Sequence, residues 1–271
     1  DITALKDGRA MYSLLCNNNG GIIDDLIIYK MDDYYLMIVN ASNKNKNLLW
    51  IKSHAEDGVM VSDISPDYSL IAIQGPNSRD KISEIFNIEL SDLSFYGCIK
   101  INYLNEEIFI ARTGYTGELG YELLGNHKVI NSMWKSMLSK SVKPIGLAVR
   151  DILRIEMGYC LYGHEISENQ NPIEAGLGWI IDRESKFIGS DKVLNTNNHN
   201  QKLVFIKVLE RGIPRQGCEI FSDSKKIGHI TSGTFSYKLN CGIGIGYINS
   251  SLDSALIPEV VIRNKSIPIE I

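Results

Sequence analysis

The chain has 271 residues, 44% hydrophobic and 22% charged, an ordinary globular composition that supports a sizeable core and two or three domains. A formal charge of −4 without a long Lys/Arg cluster gives no electrostatic footprint for nucleic acid. No apolar run approaches the roughly 18 to 20 residues that span a bilayer, and the N-terminal DITALKDGRAMY lacks the pattern of a secretory signal, so the reading is an intracellular soluble protein without a membrane partner.

The first informative stretch is Gly20 to Tyr29, GGIIDDLIIY, a glycine turn followed by a strand of branched apolar residues with two carboxylates inside it. Alternation sends Asp24 to the side of Ile22, Leu26 and Ile28, and Asp25 to the side of Ile23 and Ile27. Both faces are otherwise apolar, so at least one carboxylate is expected in a partly buried place, where it needs a cation or a hydrogen-bond donor. Alternation alone does not say which Asp faces a site, and a turn cap or structural ion pair is the simpler role for either.

YYLMIVNA from Tyr34 predicts an antiparallel partner strand, and NKNKNLLWIKSHAE, with Leu48, Leu49, Trp50 and Ile51, predicts a helix packed across that pair by one face. LIAIQG from Leu70 is a further strand, followed by Pro76 and a helix carrying Ile82, Ile85 and Phe86 on one side. KINYLNEEIFIART reads as two strands about Asn105, and GELGYELLG as a third. Val129, Ile130, Met133, Trp134, Met137 and Leu138 define an amphipathic helix from His127 to about Lys140.

A second helix is predicted from Pro144. Arg150 and Arg154 lie on one face at i,i+4, with Asp151 and Glu156 beside them. A solvated charged stripe is the simpler reading, yet the helix is apolar over most of its circumference, which predicts that some of these charges are partly buried and paired. The polar HEISENQNP and the Gly-rich IEAGLGWII then mark a domain junction. Beyond it, short strands with Gly and Ser turns predict a closed or sandwiched β domain, and the Asn-rich NTNNHNQ from Asn195 reads as an exposed loop.

Five cysteines and five histidines are scattered without CxxC or HxxxH spacing, so neither a disulfide framework nor a metal site is predicted. No GxGxxG, P-loop or GxSxG motif is present, and Cys160 with His164 four residues on is too local for a nucleophile and base pair. The turn from Gly114 to Gly120 has three glycines in seven residues, more simply a tight turn than a ligand cradle. Glu122, in the strand leaving that turn, could accept two N–H bonds from a planar heterocycle. The remaining combination is Asp25, Glu122, Arg150 and the tyrosines Tyr12, Tyr96 and Tyr115, a set suited to a flat, polar ligand with an anionic tail.

In this order and spacing, CNNNGGIIDDLIIY, VNASN, IQGP, ARTGYTGELGYEL, IGLAVRDILRIEMGYCLYGHE, NPIEAGLGW, RGIPR and TSGTFS resemble the aminomethyltransferase, or T-protein, family of the glycine cleavage system over nearly the whole chain. The resemblance implies an α+β fold, a three-domain cloverleaf around a tetrahydrofolate site. Residues 1–66 would form an N-terminally incomplete α+β domain with the catalytic Asp, 67–166 an α+β folate-binding domain, and 167–271 a C-terminal β-barrel-like domain. It implies release of ammonia from an aminomethyl group on the lipoyl arm of H-protein and transfer of the one-carbon unit to tetrahydrofolate as co-substrate, with no metal. Carried over residue by residue, the catalytic Asp falls on Asp25, where it would hydrogen-bond to a folate nitrogen and assist proton transfer. Glu122 and Arg150 fall on folate-binding positions, Tyr12 and Tyr115 on aromatic positions lining the site, with Tyr96 an addition. The implied location is the cytoplasm of a bacterium or the mitochondrial matrix of a eukaryote, the bacterial cytoplasm being preferred.

Family members carry a further segment before the position of Asp1, and many have a short aromatic tail beyond that of Ile271. Three alternatives share the fold. Dimethylglycine or sarcosine dehydrogenase tails share GYTGELGYEL and NPxEAGL but tend to have RAWG where this chain has Cys160-Leu161-Tyr162-Gly163. A non-catalytic folate-binding protein would show KGCYxGQE where this chain has NPIEAGLGW, whereas a folate-dependent demethylase differs partly in the N-terminal segment.

Overall fold

The computed structural model describes residues 2–195, 199–250 and 258–271; residues 196–198 of the Asn-rich segment read as a loop lie outside the described residues. Two compact units are present: residues 1–13 with 26–150, and residues 14–25 with 151–271. The division cuts through the first two strands, so the hairpin that carries the Asp pair belongs to the second unit.

Strands β1 (Arg9–Cys16), β2 (Ile22–Met31) and β3 (Tyr34–Val39) form a three-stranded sheet in that order. Helix α1 (Lys44–His54) follows as predicted, but its packing differs from the expectation: Leu49 is 70% exposed and Asn47 is the helix's buried residue. Four consecutive apolar residues wrap around a helix instead of forming a stripe, so they present no single face to a sheet.

Next come β4 (Tyr68–Gln74), α2 (Ser78–Phe86), β5 (Cys98–Tyr103), β6 (Glu106–Ala111), β7 (Gly120–Asn126), α3 (His127–Ser139) and α4 (Leu147–Glu156). The strands make an antiparallel sheet of order β4-β7-β6-β5. Strand alternation sorts its residues. Ile108, Ile110, Tyr121 and Leu123 share one core with Ile82 and Phe86 of α2 and Val129, Ile130 and Met133 of α3. Phe109, Ala111 and Leu124 point the other way and pack with Ala10, Tyr29 and Met31 of the first sheet. Helix α4 begins at Leu147, with Gly146 O accepting from the amides of Val149 and Arg150, so Pro144 and Ile145 precede it.

In the second unit, the short α5 (Ser190–Val193) leads to β8 (Gln201–Val208), β9 (Glu219–Ser222), β10 (Lys225–Ser236), β11 (Cys241–Asn249), β12 (Glu259–Ile262) and β13 (Lys265–Glu270). These six strands close into a barrel in the order β10-β11-β8-β13-β12-β9, the closed β domain that the turn spacing predicts. The α+β class expected from the sequence is the observed one. The NPIEAGLGW segment works as a brace. Asn171 Oδ1 accepts from Ile173 N at 2.8 Å, and Glu174 Oε1 accepts from the amides of Asn200 and Gln201 at 2.7 and 3.1 Å, tying down the chain as it enters β8.

The hairpin between β1 and β2 is held on this unit. Asn17 Oδ1 accepts from the amides of Asn19 and Gly21, Asn17 Nδ2 donates to Glu168 O, and Ile22 N donates to Ser167 O at 3.0 Å. A Cβ at Gly21 would fall 1.7 Å from Glu168 O, so only glycine lets the strand approach that loop.

Candidate active site

The two carboxylates of β2 separate as alternation requires. Asp24 is fully buried, in line with Ile22, Leu26 and Ile28, which are buried too, whereas Asp25 is half-buried on the face of Ile23 and Ile27. Asp25 is close enough to the Cys160 thiol in the second unit to perturb it: burial first, then the charges of Glu165 and Asp25, push that thiol up to about 12. A thiol held there stays protonated and is no nucleophile.

That unit also contains a buried polar network. Arg154 is 1% exposed and Glu165 is completely buried, and they pair through Nη1 and Oε2 at 2.9 Å. Arg154 Nε donates to Asp151 Oδ1 at 2.8 Å and Nη2 to Ser232 Oγ at 2.7 Å. Glu165 Oε2 also accepts from Leu161 N, and Oε1 from Thr231 Oγ1 at 2.6 Å. A register shift between Ile230 and Ser232 of β10 marks a bulge at Thr231, a device that turns a side chain out of the regular alternation. The solvated stripe considered for α4 is therefore not the state of Arg154, whose nitrogens are all engaged in a water-excluded place.

The remaining predicted residues lie in the first unit. Glu122 sits mid-strand in β7, opposite Ala72 of β4 on one side and Ala111 of β6 on the other. These are the smallest side chains that leave room for a carboxylate, and Ala72 is exposed, which opens the β4 side. Thr113 Oγ1 donates to Glu122 Oε2 at 2.5 Å. Its single hydroxyl hydrogen is then used, so Tyr29 Oη, 3.3 Å away, donates to Thr113. Burial, and then the Glu122 charge, push the Tyr29 phenol well above its ordinary value, which keeps it a donor.

Arg150 joins this cluster. Its guanidinium lies 4.3 Å from the ring centroid of Tyr115, and its charge acts on Glu122. Arg150 is exposed and its fork of N–H donors remains suited to an anion. The structure thus brings Glu122, Arg150 and Tyr115 together. Tyr12 lies half-buried on β1, and Tyr96 packs beside the core of Tyr29 and Phe109. Thr113 and Tyr29 were not singled out in the sequence; the TG of ARTGYTGE was the available signal.

Burial raises the Glu122 carboxyl above the ordinary glutamate value, while the Thr113 hydroxyl and the Arg150 charge pull it partly back. A carboxyl whose folded pKa lies above its unfolded one favours folding in its neutral form, and that contribution is lost as pH rises from the unfolded value through the folded one. Above that window the ionised side chain is a net cost that a glutamine of the same shape does not bear. Glu122→Gln is expected to raise the melting temperature at pH 8, the gain disappearing as pH falls below about 4.3. A lower melting temperature at pH 8 would show that Thr113 and Arg150 outweigh burial.

The glycines of the turn have a specific neighbour. Gln74 Nε2 donates to Thr113 O at 3.2 Å and Tyr121 O at 3.3 Å, and its Oε1 accepts from Thr116 Oγ1 at 3.2 Å. Cβ atoms at Gly114 and Gly120 would lie 2.0 and 2.1 Å from that Oε1. Among the described residues no group of three or more His, Cys, Asp or Glu could hold a metal ion, and no helix is long and apolar enough to cross a membrane.

Comparison with known proteins gives the chain a family. Residues 1–185 match the GCVT N-terminal domain, and residues 201–271 match the glycine cleavage T-protein C-terminal barrel domain. The chain is 40% identical to the aminomethyltransferase of Halothermothrix orenii, over 100% of this chain and 78% of that protein. It is also 40% identical to that of Flavobacterium psychrophilum, over 97% and 75%. The crystal structure of the glycine cleavage system aminomethyltransferase T from Bartonella henselae superposes with a TM-score of 0.89 at 29% identity, covering 98% of this chain and 75% of that one. The chain belongs to the aminomethyltransferase family, the T-protein transferases of the glycine cleavage system.

Proposed function

We propose that the protein releases ammonia from an aminomethyl group carried on the lipoyl arm of H-protein and transfers the carbon to tetrahydrofolate, giving 5,10-methylenetetrahydrofolate. The observation that carries the folate part is the Glu122 constellation. A carboxylate with one oxygen fixed by Thr113, open toward Ala72 and next to Arg150 on Tyr115, offers acceptors for the N–H edge of a pteridine and a cation for an anionic tail. Tetrahydrofolate would supply the nitrogen nucleophile that accepts the one-carbon unit.

The protein's own residues then have distinct tasks. Glu122 orients the heterocycle, Arg150 holds negative charge, Tyr115 keeps the guanidinium in place, and Tyr12 is an aromatic contact. Asp25, half-buried on its strand, is the proton-transferring carboxylate, and it needs no metal. The partner is lipoylated H-protein, and the location is the bacterial cytoplasm, a reading supported by the bacterial origin of the relatives named above.

The test is turnover of aminomethylated H-protein, following ammonia and methylenetetrahydrofolate together. One ammonia per methylene unit, dependent on both substrates, is expected. A methyl product formed without H-protein would replace this reading with that of a demethylase.

A further inference from the structure

We infer that Gln74 is the positioning residue of the Glu122 site, locking the turn from Thr113 to Tyr121 in the one conformation that presents its ligand-binding groups; this rests on the folate reading above. Gln74 ends β4, opposite Gly120 in register. Its amide reaches between the two limbs of the turn. It donates to the carbonyl of Thr113 on one limb and of Tyr121 on the other, and it accepts from Thr116 at the tip. The residues that follow reinforce the grip: Gly75 N donates to Leu119 O at 2.7 Å, and Ser78 Oγ, at the start of α2, donates to the same oxygen at 3.2 Å.

The two limbs so held carry or adjoin the groups of the site. Thr113 carries the hydroxyl that fixes Glu122, Tyr121 precedes Glu122, and Tyr115 in the turn lies under Arg150. Gly114 and Gly120 leave the space that the Gln74 amide fills, so the IQGP and GYTGELG segments form one device. No aliphatic side chain of the same length can satisfy both limbs, and without the amide the turn samples other conformations. A site that is competent only part of the time binds more weakly by that fraction, yet works normally once ligand has selected the competent form.

The experiment measures steady-state kinetics of Gln74→Met, which keeps the shape and loses the amide, well below its melting temperature. The expected result is a KM for tetrahydrofolate raised about tenfold, with kcat at saturation and the KM for aminomethylated H-protein within about twofold of the native values. A variant that only melts earlier, with KM unchanged, or that loses kcat with KM unchanged, overturns the proposal. Glu122→Gln and Arg150→Ala are assayed alongside. If neither raises the KM for tetrahydrofolate, the folate reading itself fails, whatever Gln74→Met does.

A second comparison tests the same contact from the glycine side. Gly120→Ala places its Cβ against the Gln74 amide, whose atoms are its three nearest neighbours, so the damage should be smaller in a Gln74→Ala background than in the native one. Additive effects of the two substitutions on the tetrahydrofolate KM would overturn the proposal.

Discussion

Replacing Asp25 with asparagine is expected to lower kcat about 10²- to 10⁴-fold, the range that a positioned proton-transferring group contributes. Asparagine keeps the size of the side chain and its place on β2, but at neutral pH it can neither take nor give the proton that must move as ammonia leaves. The neighbouring Asp24→Asn is the natural contrast. Asp24 is fully buried in line with Ile22, Leu26 and Ile28, so its substitution should alter stability and leave kcat of the folded protein nearly intact. Near-native turnover in Asp25→Asn, or an Asp24→Asn protein that is stable but inactive, would transfer the catalytic role away from Asp25.

The largest effect on stability is expected from Arg154. Its charge is buried against Glu165, with Asp151, Ser232 and the Tyr159 carbonyl accepting three further hydrogen bonds. Arg154→Met leaves the Glu165 carboxylate without its cation in a place closed to water, which costs about 3–5 kcal/mol. Glu165→Gln in addition removes the orphaned charge, while the new side-chain carbonyl can still accept from Leu161 N. The double variant should therefore be more stable than Arg154→Met alone, although it has lost one more native group. Urea unfolding followed by circular dichroism reads both. A loss below about 1 kcal/mol for Arg154→Met would mean that water reaches Glu165 and screens it.

The two arginines of α4 illustrate what the sequence can carry. Residues 150 and 154 share a helical face, and spacing alone treats them alike. Yet Arg150 is exposed and stacked on Tyr115, while Arg154 is enclosed by a loop and a barrel strand distant in sequence. Similarly, alternation along β2 divided Asp24 from Asp25, but burial, a property of what packs on each face, was needed to distinguish their surroundings. Strand positions and the closed β domain were legible because their periodicity and turn residues are local. The brace by Gln74 was not, because the glycines that betray it sit at 114 and 120, and nothing local pairs them with position 74. The one-sided packing predicted for α1 is not the observed one, because four adjacent apolar residues surround a helix and form no single face.

Closure of the six-stranded barrel has a consequence for how the protein fares when it is partly unfolded. Each barrel strand has a hydrogen-bonded neighbour on both sides, so among the described residues the barrel has no edge strand onto which another chain could add. The two open sheets do have such rims, at β1 and β3 of the three-stranded one and at β4 and β5 of the four-stranded one. Strand-by-strand aggregation would therefore start from these open sheets, and solubilising substitutions belong on their outer strands, away from Gln74.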